Sequence, residues 1–183
     1  MAHPTLIFTP GAWHQPKCFA TVIERPESAG YERLTGGVVK IAYIAAFVAP
    51  KGTSLLDMLN HKILEWWIIK DDKILVKDPS VFYNDMEPAE INHWGSQLLP
   101  HAFATKKAKS TGAAWLAIPW SYLLCELDQA IPIFAQEAMV GAAQETGSNM
   151  ETERVKASHS PFLSKPDAVV AYLRRMGLQN AGL

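Results

Sequence analysis

One stretch narrows the structural options more than any other: residues 122–131, YLLCELDQAI. Tyr122-Leu123-Leu124-Cys125 is a short apolar run with the character of a buried strand. It gives way at once to Glu126-Leu127-Asp128, with two carboxylates, and Pro132 follows shortly after. Open α/β sheets gather ligands and chemistry beyond the carboxyl ends of their strands. An acid at this place is therefore a candidate functional group, and Glu126 and Asp128 both qualify. A second such place lies downstream. Glu153-Arg154-Val155-Lys156 reads as a short strand, and Ala157-Ser158-His159-Ser160-Pro161 follows it. An acid after one strand and an imidazole after the next is a pairing suited to proton transfer.

The rest of the chain bounds what this pair can serve. With 183 residues the length fits one domain. Hydrophobic residues make up 49% and charged residues 19%, enough apolar surface for a substantial core. The net charge of −1 and the lack of a basic stripe argue against nucleic-acid binding. The longest apolar run, residues 41–50 (IAYIAAFVAP), is far shorter than the ~20 residues of a membrane helix. Neither a charged n-region nor a cleavage site precedes Thr5-Leu6-Ile7-Phe8, so the expectation is a cytoplasmic protein without a secretory signal. Cys18 and Cys125 then read as two free, buried thiols in a reducing compartment. His93, His101 and Asp85 lack tight ligand spacing, and no G-x-G-x-x-G or P-loop pattern is present. No metal and no cofactor are expected.

In order, Leu6-Ile7-Phe8 reads as a strand ending at the Pro10-Gly11 turn. A helix is expected over 16–29, with Pro26 kinking it or ending it early and Gly30 as its stop. Gly36-Gly37 leads into a central strand within 38–48. Thr53 or Ser54 caps a short helix to Asn60. Asp71-Asp72-Lys73 is a polar turn and Ile74-Leu75-Val76 a short strand or extended segment. Glu87-Pro88 opens a helix to about Leu98. Residues 50–119 thus form a long, mainly helical insert between two strands. Further helices are expected over 132–140 and 167–176; Asp167 at the start of the second and Arg174-Arg175 at its end suit the helix dipole.

At this point the residues resemble a known family, the small esterase-like branch of the α/β-hydrolase superfamily. The matching segments are 10–14 (PGAWH), 43–47 (YIAAF), Trp66-Trp67, 78–85 (DPSVFYND), 122–132 (YLLCELDQAIP) and 157–166 (ASHSPFLSKP). The resemblance implies an α/β fold: a truncated, mostly parallel sheet with flanking helices, one domain over 1–183, and 50–119 as a helical cap over a small-molecule substrate. It implies hydrolysis of a small ester or related carbonyl compound, with His159 as general base and Asp128 as the acid that orients it. It also implies that Gly11, Ala12 and Trp13 form the oxyanion and substrate-binding segment, with the Ala12 N–H as one donor. Trp13 and His14 either line the mouth of the site or pack on the first helix.

The departure from the family lies at the nucleophile. Such hydrolases carry G-x-S-x-G on a strained strand-to-helix turn, and this chain has no such motif. Residues 30–41 alone join the oxyanion segment to YIAAF. In one reading Gly36-Gly37 is an elbow remnant with Leu34 at the nucleophile position; in the other the elbow is absent. Three functional outcomes stay open. His159 activates water or abstracts a proton directly; or the protein is a non-catalytic relative that binds a small apolar molecule or a partner; or the chain is a truncated or alternatively spliced product. Without the intervening strands, the strand at 5–8 must pair with that at 41–47 or leave an exposed edge, which favours a homodimer through that edge.

Overall fold

The computed structural model describes residues 7–27, 38, 40–148 and 150–178. A 3-10 turn, Pro16–Phe19, leads into α1 (Ala20–Glu27). Then follow β1 (Ile41–Ile44), α2 (Leu55–Met58), β2 (Trp67–Lys70), β3 (Lys73–Val76), α3 (Ser80–Tyr83), α4 (Pro88–Gly95), β4 (His101–Ala102) and α5 (Ala104–Lys107). The chain continues through β5 (Trp120–Cys125), α6 (Ile133–Glu145), β6 (Met150–Val155), α7 (Pro161–Ser164) and α8 (Pro166–Leu178).

The main sheet is parallel, in the order β1-β5-β6. Its centre is β5, all six of whose residues are buried. Alternation along β5 sends side chains to two different cores. Leu123 packs with Phe19, Val22, Phe162, Val169, Tyr172 and Leu173 beneath α1 and α8. Trp120, Tyr122 and Leu124 pack with Val140 and Ala143 of α6 on the other side. Helices on both faces explain why the strand reads as a continuous apolar run. Ser121 is admitted to this interior because its hydroxyl meets that of Tyr172 at 2.8 Å.

β1 is shorter than the strand expected within 38–48. It ends where Ala45 turns into the left-handed region at φ 43°, a conformation costly for a residue with a Cβ. The Tyr122 hydroxyl holds this bend, donating to the Ala46 carbonyl at 2.7 Å and accepting from the Ala46 N–H at 2.9 Å. The expected first strand is not formed over Ile7 and Phe8; Leu6 and Thr5 lie outside the described residues. Ile7 is exposed and Phe8 rests on Phe19. A strand needs a partner ladder, and on the side away from β5 none of the described residues pairs with β1. Gly30 and the joint at 31–37, including Leu34, Thr35 and the Gly36-Gly37 pair, also lie outside the described residues.

The 50–119 segment differs from a mainly helical insert. Its helices are short, and β2, β3 and β4 form a separate antiparallel sheet. Asp71 and Asp72, both at positive φ (49° and 56°), make the two-residue hairpin turn between β2 and β3, with the backbone signs of a type I′ turn. Ser54 caps α2 in a reciprocal box with Asp57. The insert carries its own core of Leu56, Trp67, Ile74, Val81, Phe82 and Tyr83, into which Trp13 is inserted.

Candidate active site

The loop after β5 places the acid. Glu126 N–H donates to the Val155 carbonyl and Leu127 N–H to that of Ala157, both at 3.0 Å. These bonds carry the parallel pairing past the strand ends and bring the two loops together. Glu126 and Asp128, both just past the strand and told apart in the sequence only by the resemblance, then separate. Glu126 is exposed, 3.9 Å from Arg154. The Asp128 side chain is fully buried. Its Oδ1 accepts from the N–H groups of Ala130 and Ile131, both at 2.8 Å. Its Oδ2 accepts from Gln136 Nε2 at 3.3 Å and from His159 Nδ1 at 2.8 Å. A buried carboxylate is tolerable when its lone pairs are filled in this way.

His159 lies in the loop between β6 and α7, its side chain 18% exposed. One of its ring nitrogens is committed to Asp128. Among the described residues nothing is bonded to the other, Nε2. The ring lies 5.3 Å from that of Phe82, and the neighbouring Ser158 Oγ donates to the Phe82 carbonyl at 3.0 Å. The insert is therefore fixed directly against the imidazole. Asn84 adds a second tie, donating to the Leu127 carbonyl at 3.0 Å.

Residues 11–13, for which the resemblance implies an oxyanion role, approach from the N-terminal side. Trp13, at φ 70°, sends its indole into the insert, where Nε1 donates to the Ile74 carbonyl at 2.9 Å. Its ring meets Trp66, Trp67 and Phe82. Trp13 thus packs on the insert rather than on the first helix. Gly11 is exposed and Ala12 half-buried. His14, not assigned a definite role from sequence, bridges the parts. Its Nδ1 donates to the Ala12 carbonyl at 3.1 Å, and its Nε2 accepts from the Tyr83 hydroxyl at 3.0 Å. Burial first, then the charge of His159, lowers its pKa to about 4, so it is neutral at pH 7 with this tautomer.

Other nucleophiles are poorly placed. Cys18 and Cys125 are buried free thiols. Burial pushes Cys18 up to about 11 and Cys125 higher still, which opposes thiolate formation. Ser160 is fully buried and its Oγ is unpartnered among the described residues. No hydroxyl or thiol of the described residues is bonded to His159 Nε2. None of them forms a cluster of three or more His, Cys, Asp or Glu side chains able to hold a metal. No helix among them is long and apolar enough to cross a membrane.

Sequence reasoning missed two contributors. Gln136 is fully buried; besides meeting Asp128 it clamps the end of β5, accepting from Cys125 N–H and donating to the Cys125 and Ile131 carbonyls. Tyr83 orients His14. Gln136 stands in no local pattern that marks it; Tyr83 lies in the 78–85 segment that carries the resemblance, but nothing local points to His14, which is distant in sequence.

Comparison with known proteins bears on the family and the fold. Residues 11–172 match the profile of the alpha/beta hydrolase family. The chain is 34% identical over 148 residues to the alpha/beta hydrolase nvfD of Aspergillus novofumigatus (strain IBT 16806), covering 76% of this chain and 57% of that protein. It is 26% identical over 136 residues to the probable hydrolase R7 of Phoma sp. (strain ATCC 20986 / MF5453), covering 72% and 56%. It therefore spans a little over half the length of these relatives. In fold it is similar to a pyrethroid hydrolase from Sphingobium faniae JZ-2, with a TM-score of 0.74 at 16% identity over 94% of this chain and 96% of that one. On the family match and the identity to its fungal relative, this chain belongs to the alpha/beta hydrolase family.

Proposed function

We propose that this chain supplies the acid–base half of a hydrolase acting on a small ester or related carbonyl compound, with His159 as general base and Asp128 as its orienting acid. The observation that carries this reading is the 2.8 Å bond from His159 Nδ1 to a fully buried carboxylate. Asp128 fixes the ring and stabilises the imidazolium that forms when Nε2 takes a proton; Nε2 is the nitrogen left for a substrate or water. In this reading Gly11, Ala12 and Trp13 form the oxyanion segment. The segment 50–119 serves as the cap, since Phe82 packs on His159 and Tyr83 holds His14. The hydrolase-named relatives support the same class of reaction.

With no nucleophile on Nε2 among the described residues, the direct route is attack by a water deprotonated by His159. General-base assistance contributes roughly 10²–10⁴-fold. Turnover of activated short-chain esters by wild type, His159→Ala and Asp128→Ala measures it. The expected result is a loss of that order in His159→Ala and a smaller one in Asp128→Ala. Equal rates in all three would remove the catalytic reading. A second reading, a non-catalytic relative that binds a small apolar molecule beneath the insert, is favoured by the lack of a hydroxyl or thiol on Nε2 among the described residues. Ligand-induced thermal stabilisation without turnover would select it.

A further inference from the structure

The insert contains a group of inward-facing donors that the dyad does not use. Lys106, on α5, is only 5% exposed. Its Nζ lies 4.4 Å from the centre of the Trp13 ring and 5.9 Å from that of Trp67. Among the described residues no carboxylate is within ion-pair distance of it. The aromatic faces offset part of the cost of burying its charge. A counter-ion is what such a group ordinarily requires. Burial alone moves its pKa down to about 8.

A second, independent observation points the same way. Trp67 is 7% exposed, and its buried Nε1–H has no acceptor among the described residues. Its neighbour Trp13 does have one, the Ile74 carbonyl. An unsatisfied buried donor costs about 1–3 kcal/mol. His101, 5.6 Å from Trp13, supplies no negative charge. Its Nδ1 donates to Thr105 Oγ1 at 2.9 Å, and that hydroxyl in turn donates a hydrogen bond to the Ala102 carbonyl. The place thus has a cation, an indole N–H and aromatic walls, and among the described residues no carboxylate pairs with the cation.

We propose that Lys106 and the Trp67 indole form an anion site in the insert that takes a small carboxylate carrying an apolar body. One carboxylate oxygen meets the ammonium and the other the indole N–H, while the body lies against Trp13 and Trp67. A single cation matches a monoanion; a phosphate dianion would bring in more charge than the site neutralises. The site does not involve His159 or Asp128; it shares only the Trp13 ring with the proposed reaction, and its test reads binding at Trp67 rather than turnover.

The test uses the full chain, benzoate as probe and benzyl alcohol as its uncharged counterpart. The readout is the indole N–H resonances, with that of Trp67 assigned through Trp67→Phe. Benzoate is expected to shift the Trp67 resonance saturably in wild type. Binding should weaken at least ten-fold in Lys106→Met, which keeps the buried stem, and persist in Lys106→Arg, which keeps the charge. An unmoved Trp67 resonance, an equal shift by benzyl alcohol, or unchanged affinity in Lys106→Met would overturn the proposal. If Lys106→Met fails to fold, the wild-type comparison of benzoate with benzyl alcohol still decides it.

Discussion

His14 stays neutral at pH 7 because burial and the nearby charge of His159 hold its pKa near 4, against about 6.5 in an unfolded chain. Below pH 6.5 the unfolded chain takes up a proton that the native ring refuses. Native stability should therefore fall as pH drops from 6.5 towards 4, by on the order of 3 kcal/mol from this residue. Urea unfolding across that range measures it. His14→Gln, which retains a donor and an acceptor, is expected to flatten this part of the profile; an unchanged slope would show that the ring titrates normally. Asp128 is a different case. Asp128→Ala leaves the N–H groups of Ala130 and Ile131 without their acceptor, a loss of about 2–4 kcal/mol. Calorimetry should show it as a lowered Tm. Asp128 and His159 were legible in sequence because each follows an apolar or β-rich run at the place where α/β sheets collect chemistry. The choice of Asp128 over Glu126 was not legible from spacing, since both carboxylates satisfy it. Burial separates them, and burial depends on α6, whose Gln136 reaches back to the loop.

At the scale of elements, β5 and α6 form one polar-latched unit. Gln136→Leu preserves bulk but strips three backbone groups of their side-chain partner and removes a donor to Asp128. The expected destabilisation is about 2–4 kcal/mol, with amide exchange quickening at Cys125, whose N–H loses its acceptor, rather than across α8. A uniform increase over the whole molecule would contradict a local clamp. The strands and helices differ in how plainly the sequence marks them. β5 was clear because it is buried on both faces, and α8 because its end charges suit a helix. The insert's sheet was less so. Trp67–Lys70 alternates weakly, with a buried Trp67 followed by exposed Ile68 and Ile69, so its strand character comes from pairing with β3 more than from its own pattern. Its Asp71-Asp72 turn was legible as a turn; that it closes a hairpin depended on recognising β2.

At the scale of the whole molecule, the two outer strands of the main sheet among the described residues differ. β6 is Met-Glu-Thr-Glu-Arg-Val, and its charges are engaged: Glu153 with Arg175, and Arg154 with Glu137. Such residues guard an edge against pairing with another chain. β1 is Ile-Ala-Tyr-Ile and carries no charge. We propose dimerisation through β1. Light scattering should report twice the 20.2 kDa chain mass for wild type and the monomer for Ala42→Lys; a monodisperse wild-type monomer would count against it. The pairing of His159 with Asp128 is tested most directly by nitrogen NMR of histidine-labelled protein in an alkaline pH series. With the ring neutral, the expected spectrum shows the proton of His159 on Nδ1 and a bare Nε2 in wild type, with mixed tautomers in Asp128→Ala. A wild-type ring protonated on Nε2, unchanged by loss of the carboxylate, would contradict it.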